Sequence, residues 1–278
     1  MQERDVVLEL GPPPSLVASP FIMASNIYKQ RNLVKNLVSR DYKVNYHGHY
    51  LGYFWSLLEP LALTGIFFLV FVILRGQSDT LLPLKIMIGI LIFSSFSKTL
   101  SNCTTCLIQN SSLIKQVYFP REIFPTAIAV FRFSSLCLSM IIIAPYMIYE
   151  NILPSGMIFL LPLAMISCTL LGQGLGMIAA VIQVRIRDLK QVIDLLVRAG
   201  FFLSGVFFGA EIIPEKYLDI YLLNPIAVYI EMARGGVLGE WGVLDYWVIS
   251  RSVFIALLFF FIGTYVFMRF ERRAVKYI

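Results

Sequence analysis

Charge is scarce in this 278-residue chain: 14% of its residues are Asp, Glu, Lys or Arg, against 58% that are hydrophobic. One soluble core of this length does not bury so much apolar surface, which excludes an ordinary soluble globular domain. Histidine is confined to His47 and His49, and two imidazoles without a third ligand do not make a zinc site. Of the four cysteines, Cys137 and Cys168 fall within apolar runs and Cys103 and Cys106 sit near a cytoplasmic helix end, where thiols stay reduced. The C-x-x-C they form lacks a second ligand pair, so no metal residue is expected. A Gly-Lys pair is missing everywhere, so there is no G-x-x-x-x-G-K-[ST] phosphate loop and the chain by itself is not a conventional ATPase. G-x-S-x-G, H-E-x-x-H and clustered intramembrane carboxylates are missing as well, and no catalytic residue is expected.

What is there is a series of long apolar runs. About 20 apolar residues cross a bilayer core, and six runs qualify: Phe54 to Leu74, Leu81 to Leu100, Ala127 to Tyr149, Met157 to Gln183, Leu189 to Phe208 and Val248 to Phe267. The expected fold is an all-α polytopic membrane protein with six transmembrane helices. The formal charge of +6 points to membrane topology, not nucleic acid, because the cations fall on alternate connections. Lys29, Arg31, Lys35, Arg40 and Lys43 precede the first run. Lys98, Lys115, Arg121 and Arg132 surround the second connection, Arg185, Arg187, Lys190 and Arg198 the fourth, and Arg269, Arg272, Arg273 and Lys276 follow the last run. The positive-inside rule then places both termini in the cytoplasm of a cell with this protein in its cytoplasmic membrane. The fifth connection is acidic, with Glu211, Glu215, Asp219, Glu231, Glu240 and Asp245, which agrees with an outward location.

No cleavable leader is expected, because Glu3, Arg4, Asp5 and Glu9 lead into Pro12 to Pro14; residues 1–25 read as a flexible arm. In residues 26–50, Ile27, Leu33, Val34, Leu37, Val38 and Val44 share one arc of a helical wheel opposite the cations. That predicts an amphipathic helix in the cytoplasmic membrane interface, touching lipid; packing on a soluble partner is the alternative. Residues 51–278 then form the six-span domain.

Within it, residues 110–125 read as a short helix stopped by Pro120, either a docking element or a plain loop with interfacial aromatics. Gly172, Gly174 and Gly176 predict close helix packing, and Asp194 and Arg198 can pair at i,i+4. Residues 209–245 are too apolar for a loop and too charged for a crossing, with a break at Asn224 and Pro225; two re-entrant or surface half-helices between spans five and six are expected. Such a segment is either a lid over a pathway or an external contact. Glu59, Lys98 and Arg132 lie inside the runs, where a central charge costs about 2.5–3.5 kcal/mol. The cations can snorkel, whereas Glu59, beside Pro60, needs a partner cation or a wet vestibule.

Four stretches resemble a known family in order. "LVSRDYKVNYHGHYLGYFWSLLEPL" (37–61), with Arg40, Asp41, Lys43, Tyr46, Leu51, Gly52, Trp55, Leu58, Pro60 and Leu61, resembles the entry motif of permease subunits of type 2 ATP-binding-cassette exporters, in the branch that exports lipid-linked O-antigen, capsule and teichoic acid polymers. "NSSLIKQVYFPREIFP" (110–125), "RIRDLKQVID" (185–194) and "NPIAVYIEMARG" (224–235) are similar to that family's later segments, and His47-Gly48-His49 departs from it.

The resemblance implies a homodimer in which each copy binds a separate nucleotide-binding ATPase that holds the ATP and magnesium, so this chain needs no cofactor. It implies a coupling helix made of Ser112, Ile114, Lys115, Tyr118, Phe119, Pro120, Arg121 and Glu122, and a loop before span five with Arg187 and Asp188. It further implies a cytoplasmic entrance formed by Arg40, Asp41, Lys43, Tyr46, Gly52, Trp55, Glu59 and Pro60, and an outer gate at Asn224 and Pro225. The substrate would be a lipid-pyrophosphate-linked polysaccharide, O-antigen first, with membrane lipids as surroundings; Lys29, Arg31, Lys35, Arg40 and Lys43 are candidate attractors for the pyrophosphate. Rival readings are a drug or small-lipid exporter of the same architecture, an ATP-independent channel or scaffold, and an intramembrane transferase.

Overall fold

The computed structural model describes residues 15–46, 52–75, 80–116, 120–153 and 155–275. Helices account for all its regular structure. In chain order they are α1 (Ala18–Lys29), α2 (Arg31–Tyr46), α3 (Trp55–Arg75), α4 (Leu82–Gln109), α5 (Ser111–Gln116), α6 (Ile123–Met140), α7 (Ile143–Tyr149), α8 (Leu160–Gln183), α9 (Leu189–Leu203), α10 (Glu215–Leu223), α11 (Pro225–Leu238) and α12 (Tyr246–Val275).

Five segments are long and apolar enough to cross a membrane: Trp55–Ile73, Leu82–Gln116, Ile123–Tyr149, Gly156–Gln183 and Tyr246–Glu271. They coincide with five of the six expected runs and make this a multi-pass membrane protein. The expected fifth span differs. Helix α9 has 15 residues, about 22 Å at 1.5 Å per residue, against a core of about 30 Å. Ser204 ends it and Gly205 follows with φ 67°, a left-handed stop that favours glycine. The third run is also divided, by a turn between α6 and α7.

Helix α8 is the hub, packed against α4 on one side and α12 on the other. Its glycines set those distances. A Cβ on Gly172 would lie 3.2 Å from the Phe96 carbonyl oxygen of α4, and one on Gly174 2.5 Å from the Phe259 carbonyl oxygen of α12. Gly263 of α12 abuts the Gly174 backbone in return, and Gly176 abuts Cys103. Close backbone approach of this kind is how apolar helices associate in lipid, where no hydrophobic force drives them together. Gly174→Val is therefore expected to destabilise the bundle by about 1–3 kcal/mol through overpacking. A lower melting temperature of the purified protein checks it; an unchanged one contradicts the close approach.

The N-terminal region differs from expectation in two ways. The chain is already helical at Ala18, inside the stretch assigned to a flexible arm, with Ser19 and Met23 buried. Instead of one helix over 26–50, α1 and α2 meet at Gln30, whose carbonyl accepts from the amides of Leu33 and Val34; residues 47–50 lie outside the described residues. The apolar arc also points to protein. Val34 and Leu37 are buried in a cluster with Leu107, Ile114, Ile123 and Phe124. Tyr42 meets the ring of Phe131 edge-on at 4.7 Å and donates to Ser134 Oγ at 2.7 Å. That surface would otherwise face lipid. It is occupied because the C-terminal end of α4 and the N-terminal end of α6 offer a complementary apolar cluster, while Val44 at the helix end stays exposed.

Candidate functional site

Where α3, α4 and α6 diverge, next to the end of α2, a cleft of about 870 Å³ opens. Its walls carry Asn45 and Tyr46 from α2, Trp55, Ser56, Glu59 and Pro60 from α3, Ser94, Ser95 and Lys98 from α4, and Arg132, Ser135 and Ser139 from α6. Glu59 accepts from Lys98 Nζ at 2.8 Å, and both side chains remain about half exposed. The Arg132 guanidinium lies 4.8 Å over the Phe131 ring, and the Asn102 amide oxygen, in the orientation that satisfies both side chains, accepts from Arg132 Nε at 3.1 Å.

The local chain chemistry explains the shape of one wall. Pro60 sits inside α3 and has no N–H to offer the Ser56 carbonyl four residues back. Ser139 Oγ of α6 lies 3.2 Å from that carbonyl and 2.9 Å from the Ser135 carbonyl of its own helix, so its one proton is shared between the two helices at the cleft. Thr64 Oγ1 donates to the Pro60 carbonyl at 2.7 Å in the same turn. Elsewhere in the cleft, the buried hydroxyls of Ser95 and Ser135 have no hydrogen-bond partner among the described residues.

Beside the cleft, the 110–122 connection is tied at both ends to the N-terminal helices. Arg40 of α2 donates from Nη1 to Asn110 Oδ1 at 3.0 Å and, through Nε and Nη2, to its neighbour Asp41. Asn110 in turn donates to the Cys106 carbonyl at the end of α4, and its own carbonyl accepts the Ile114 amide that starts α5. At the other end, Asn26 Nδ2 of α1 donates to Glu122 Oε1 at 2.8 Å. Between the ties, Ile114 is buried while Ser112 and Lys115 are exposed.

The opposite end of the bundle holds a second polar network. Arg234 of α11, with a side chain 4% exposed, pairs with Glu231 at 2.9 Å. It also donates to the carbonyls of Lys85, Gly205, Val206 and Phe208 at 2.9–3.0 Å. Glu231 Oε1 accepts further from Tyr221 Oη and the Ala210 amide, both at 3.2 Å. One guanidinium thus joins α4, α11 and the irregular 204–212 segment. Asn224 caps α11 by accepting from the Ile226 amide and donates to Ser204 Oγ at 3.0 Å, with Pro225 in the first helical turn, where its missing N–H is not needed. Lys85 meets Glu211 at 2.6 Å. Burial pushes the Glu211 carboxyl up, but the bond from Lys85 and the nearby cations outweigh it and hold the group below its ordinary range.

Of the expected entrance residues, Tyr46, Trp55, Glu59 and Pro60 line the cleft, Arg40 and Asp41 pair with each other beside it, Lys43 is exposed, and Gly52 starts a short 3-10 turn with φ 45°. Tyr118, Phe119, His47, His49 and Leu51 lie outside the described residues. Pro120 and Arg121 precede α6, and one Arg121 nitrogen, Nη1, is buried without a partner among the described residues. Glu122, expected to contact an ATPase, is 2% exposed and works inward on Asn26. Arg187 and Asp188 are exposed in the turn before α9, where Gln183 donates to the Arg187 carbonyl at 2.9 Å. Asp194 pairs with Lys190 at 2.5 Å and accepts from Ser101, instead of pairing with Arg198. Lys190 wins because Ser101 of α4 holds both groups on the helix face that packs there, while Arg198 is exposed.

The serines of the cleft, Asn26, Asn110 and Arg234 escaped sequence reasoning. A signal for the first exists: Arg132, Ser135 and Ser139 recur at i, i+3 and i+7, a polar stripe on a helix whose other polar residues are Thr126 and Ser134.

A bundle of membrane-length helices with an open polar cleft defines a multi-pass membrane protein. The chain belongs to the ABC-2 type transporter family, whose model matches residues 32–238. It is 24% identical over 243 residues to the O-antigen export system permease protein RfbA of Klebsiella pneumoniae, across 87% of this chain and 93% of that protein. To the polysialic acid transport protein KpsM of Escherichia coli it is 26% identical over 220 residues, across 75% and 82%. The RfbA permease of Myxococcus xanthus is 24% identical over 206 residues, across 73% and 79%.

Proposed function

We propose that this chain is the transmembrane permease subunit of an ATP-driven exporter that moves a lipid-linked polysaccharide, O-antigen first, across the cytoplasmic membrane. The observation that carries this reading is the end-to-end similarity to polysaccharide export permeases, with the chain covering 93% of one of them. A separate ATPase subunit binds ATP and magnesium and docks on the exposed side of α5, around Ser112 and Lys115, with Arg187 and Asp188 as a second contact. Two copies pair, so that the exposed apolar faces of α3 and α9 meet around a common path; Ile66 and Leu69 on α3 and Leu195 and Leu196 on α9 support this. Helix α9 with residues 204–208 completes a sixth crossing, α10 and α11 form the re-entrant outer gate hinged at Asn224 and Pro225, and both termini are cytoplasmic.

The test is complementation of a cell lacking this gene, with surface polymer read by antibody. The wild-type chain is expected to restore export, and a partner ATPase that binds but does not hydrolyse ATP is expected to abolish it. Lys115→Glu, a charge reversal on an exposed docking face, is expected to weaken ATPase recovery in a pull-down by about tenfold. Polymer export without ATP hydrolysis would support a channel instead, and transport of a dye but not of polymer a drug exporter.

A further inference from the structure

We infer that the pocket at the end of the bundle opposite the cleft, between the start of α4 and the C-terminal end of α11, binds one uncharged sugar unit of the exported polymer. Trp241 stacks on the sugar ring, and Lys85, Glu211 and Glu240 bond to its hydroxyls. The inference rests on the exporter reading, in which this end faces outward, and it names a contact made by polymer that has already crossed.

The chain builds this pocket at a sharp turn. Helix α11 ends at Gly239, left-handed at φ 78°, whose amide donates to the Gly235 carbonyl at 2.8 Å. The chain then folds back so tightly that a Cβ on Gly235 would lie 2.6 Å from the Glu240 carbonyl oxygen. That return sets Glu240 and Trp241 with Lys85, Glu211, Glu231 and Arg234 around a space of about 260 Å³. Pockets that enclose a drug-sized ligand run to about 300–1,000 Å³, so this one has room for a single small ring. Among the described residues, none from α3 or α9 lines it, which sets it apart from the faces proposed to meet at the path.

Charge excludes the simpler ligands. All five N–H groups of Arg234 are committed, four to carbonyls and one to Glu231. Lys85 is paired with Glu211 at 2.6 Å, so no cation is in excess to hold an anion. Three carboxylates against two cations favour a positive ligand, yet no group of three acidic, histidine or cysteine side chains among the described residues is placed to hold a metal ion. An organic amine would meet the Lys85 ammonium in the same space. Sugar hydroxyls fit both signs, because each can donate to a carboxylate and accept from an ammonium that carries three donors. Glu240 stands exposed for that contact, and Glu211 is about half exposed.

The ring supplies the rest. Trp241 is half-buried, its centroid 5.1 Å from that of Tyr246. An indole in an otherwise charged pocket offers a flat apolar surface, and the C–H face of a pyranose is the part of a sugar that needs one. A small inorganic ion would gain nothing from it.

The test uses the complete permease–ATPase complex in nanodiscs of neutral lipid. Oligosaccharides released by mild acid from the surface polymer of the complemented cell are titrated in, and binding is read by saturation-transfer NMR. Trp241→Ala is expected to lose about tenfold or more in affinity, the scale of one aromatic stack with its buried area, and Trp241→Phe to keep most of it. Glu240→Gln is expected to bind about threefold more weakly through loss of a charged acceptor; it decides the matter if the alanine variant does not assemble. Sodium sulfate, calcium chloride and choline chloride are expected not to compete at equal concentration. Unchanged affinity in Trp241→Ala, or in Glu240→Gln where the alanine variant does not assemble, overturns the inference. Equal competition by sulfate, calcium or choline also overturns it and would make the pocket an ion site. ATP-dependent export by the wild-type complex is measured in parallel. Its absence overturns the exporter reading itself, whereas normal export with unaffected sugar binding in the variants overturns only the assignment of this pocket.

Discussion

Arg234→Leu is expected to destabilise the protein by about 3–5 kcal/mol, the range for removing one partner of a buried ion pair. The substitution is close in volume and apolar, so a simple hydropathy view would rank it as harmless inside a membrane protein. The geometry says otherwise. Leucine would leave Glu231 as a buried carboxylate with only Tyr221 and the Ala210 amide as donors among the described residues. It would also strip the carbonyls of Lys85, Gly205, Val206 and Phe208 of the bonds that Arg234 makes to them. Arg234→Lys keeps the charge but has a point-like head in place of a planar fork, so it is expected to recover only part of the loss. A melting curve of the detergent-purified protein, with membrane yield beside it, gives the order wild type, Lys, Leu. A Leu variant as stable as the wild type would mean that the 204–212 segment does not depend on this guanidinium.

Glu122→Ala is expected to uncouple hydrolysis from export while leaving the ATPase bound. Glu122 does not face a partner; it is buried at the start of α6, where a carboxylate is favoured by the helix dipole, and it accepts from Asn26 of α1. With Arg40 holding Asn110 at the other end, a push on α5 in the proposed coupling role would pass to α1 and α2, and the last turn of α2 lines the cleft through Asn45 and Tyr46. Cutting one tie is expected to lower polymer exported per ATP by about 5–150-fold, the span of a coupling free energy of about 1–3 kcal/mol. Glu122→Gln retains an oxygen for Asn26 and is expected to stay near wild type in this ratio. Equal loss of hydrolysis and export in the alanine variant would point to a failure of docking or folding and sink the relay.

Particular residues mark how far the sequence could be read. The five long spans were legible because a run of about 20 apolar residues has one inexpensive place to go. Glu59 and Pro60 stood out because charge and a missing amide are conspicuous in an apolar run. The end of α9 was not legible: Ser204 to Phe208 is as apolar as the helix before it, and only the left-handed Gly205 and the carbonyl bonds to Arg234 reveal the stop. Nor was the face that α2 presents. An amphipathic arc states that something apolar covers it, and lipid and protein satisfy that condition equally, so Val34 and Leu37 carried no sign of Ile123 and Phe124.

By itself the sequence determined that the chain is helical and crosses a membrane several times, because hydropathy and helix-stop residues are local properties that survive without a partner. Tertiary structure alone decided which polar groups meet: Lys98 with Glu59, Asn26 with Glu122, Arg40 with Asn110, and Arg234 with four carbonyls from two distant segments. The reason is energetic. In an apolar surrounding each polar group must find a donor or acceptor, but several partners of equal chemistry exist along the chain, and only the packing of α3 and α11 on α4 and of α2 on α6 brings one of them within reach.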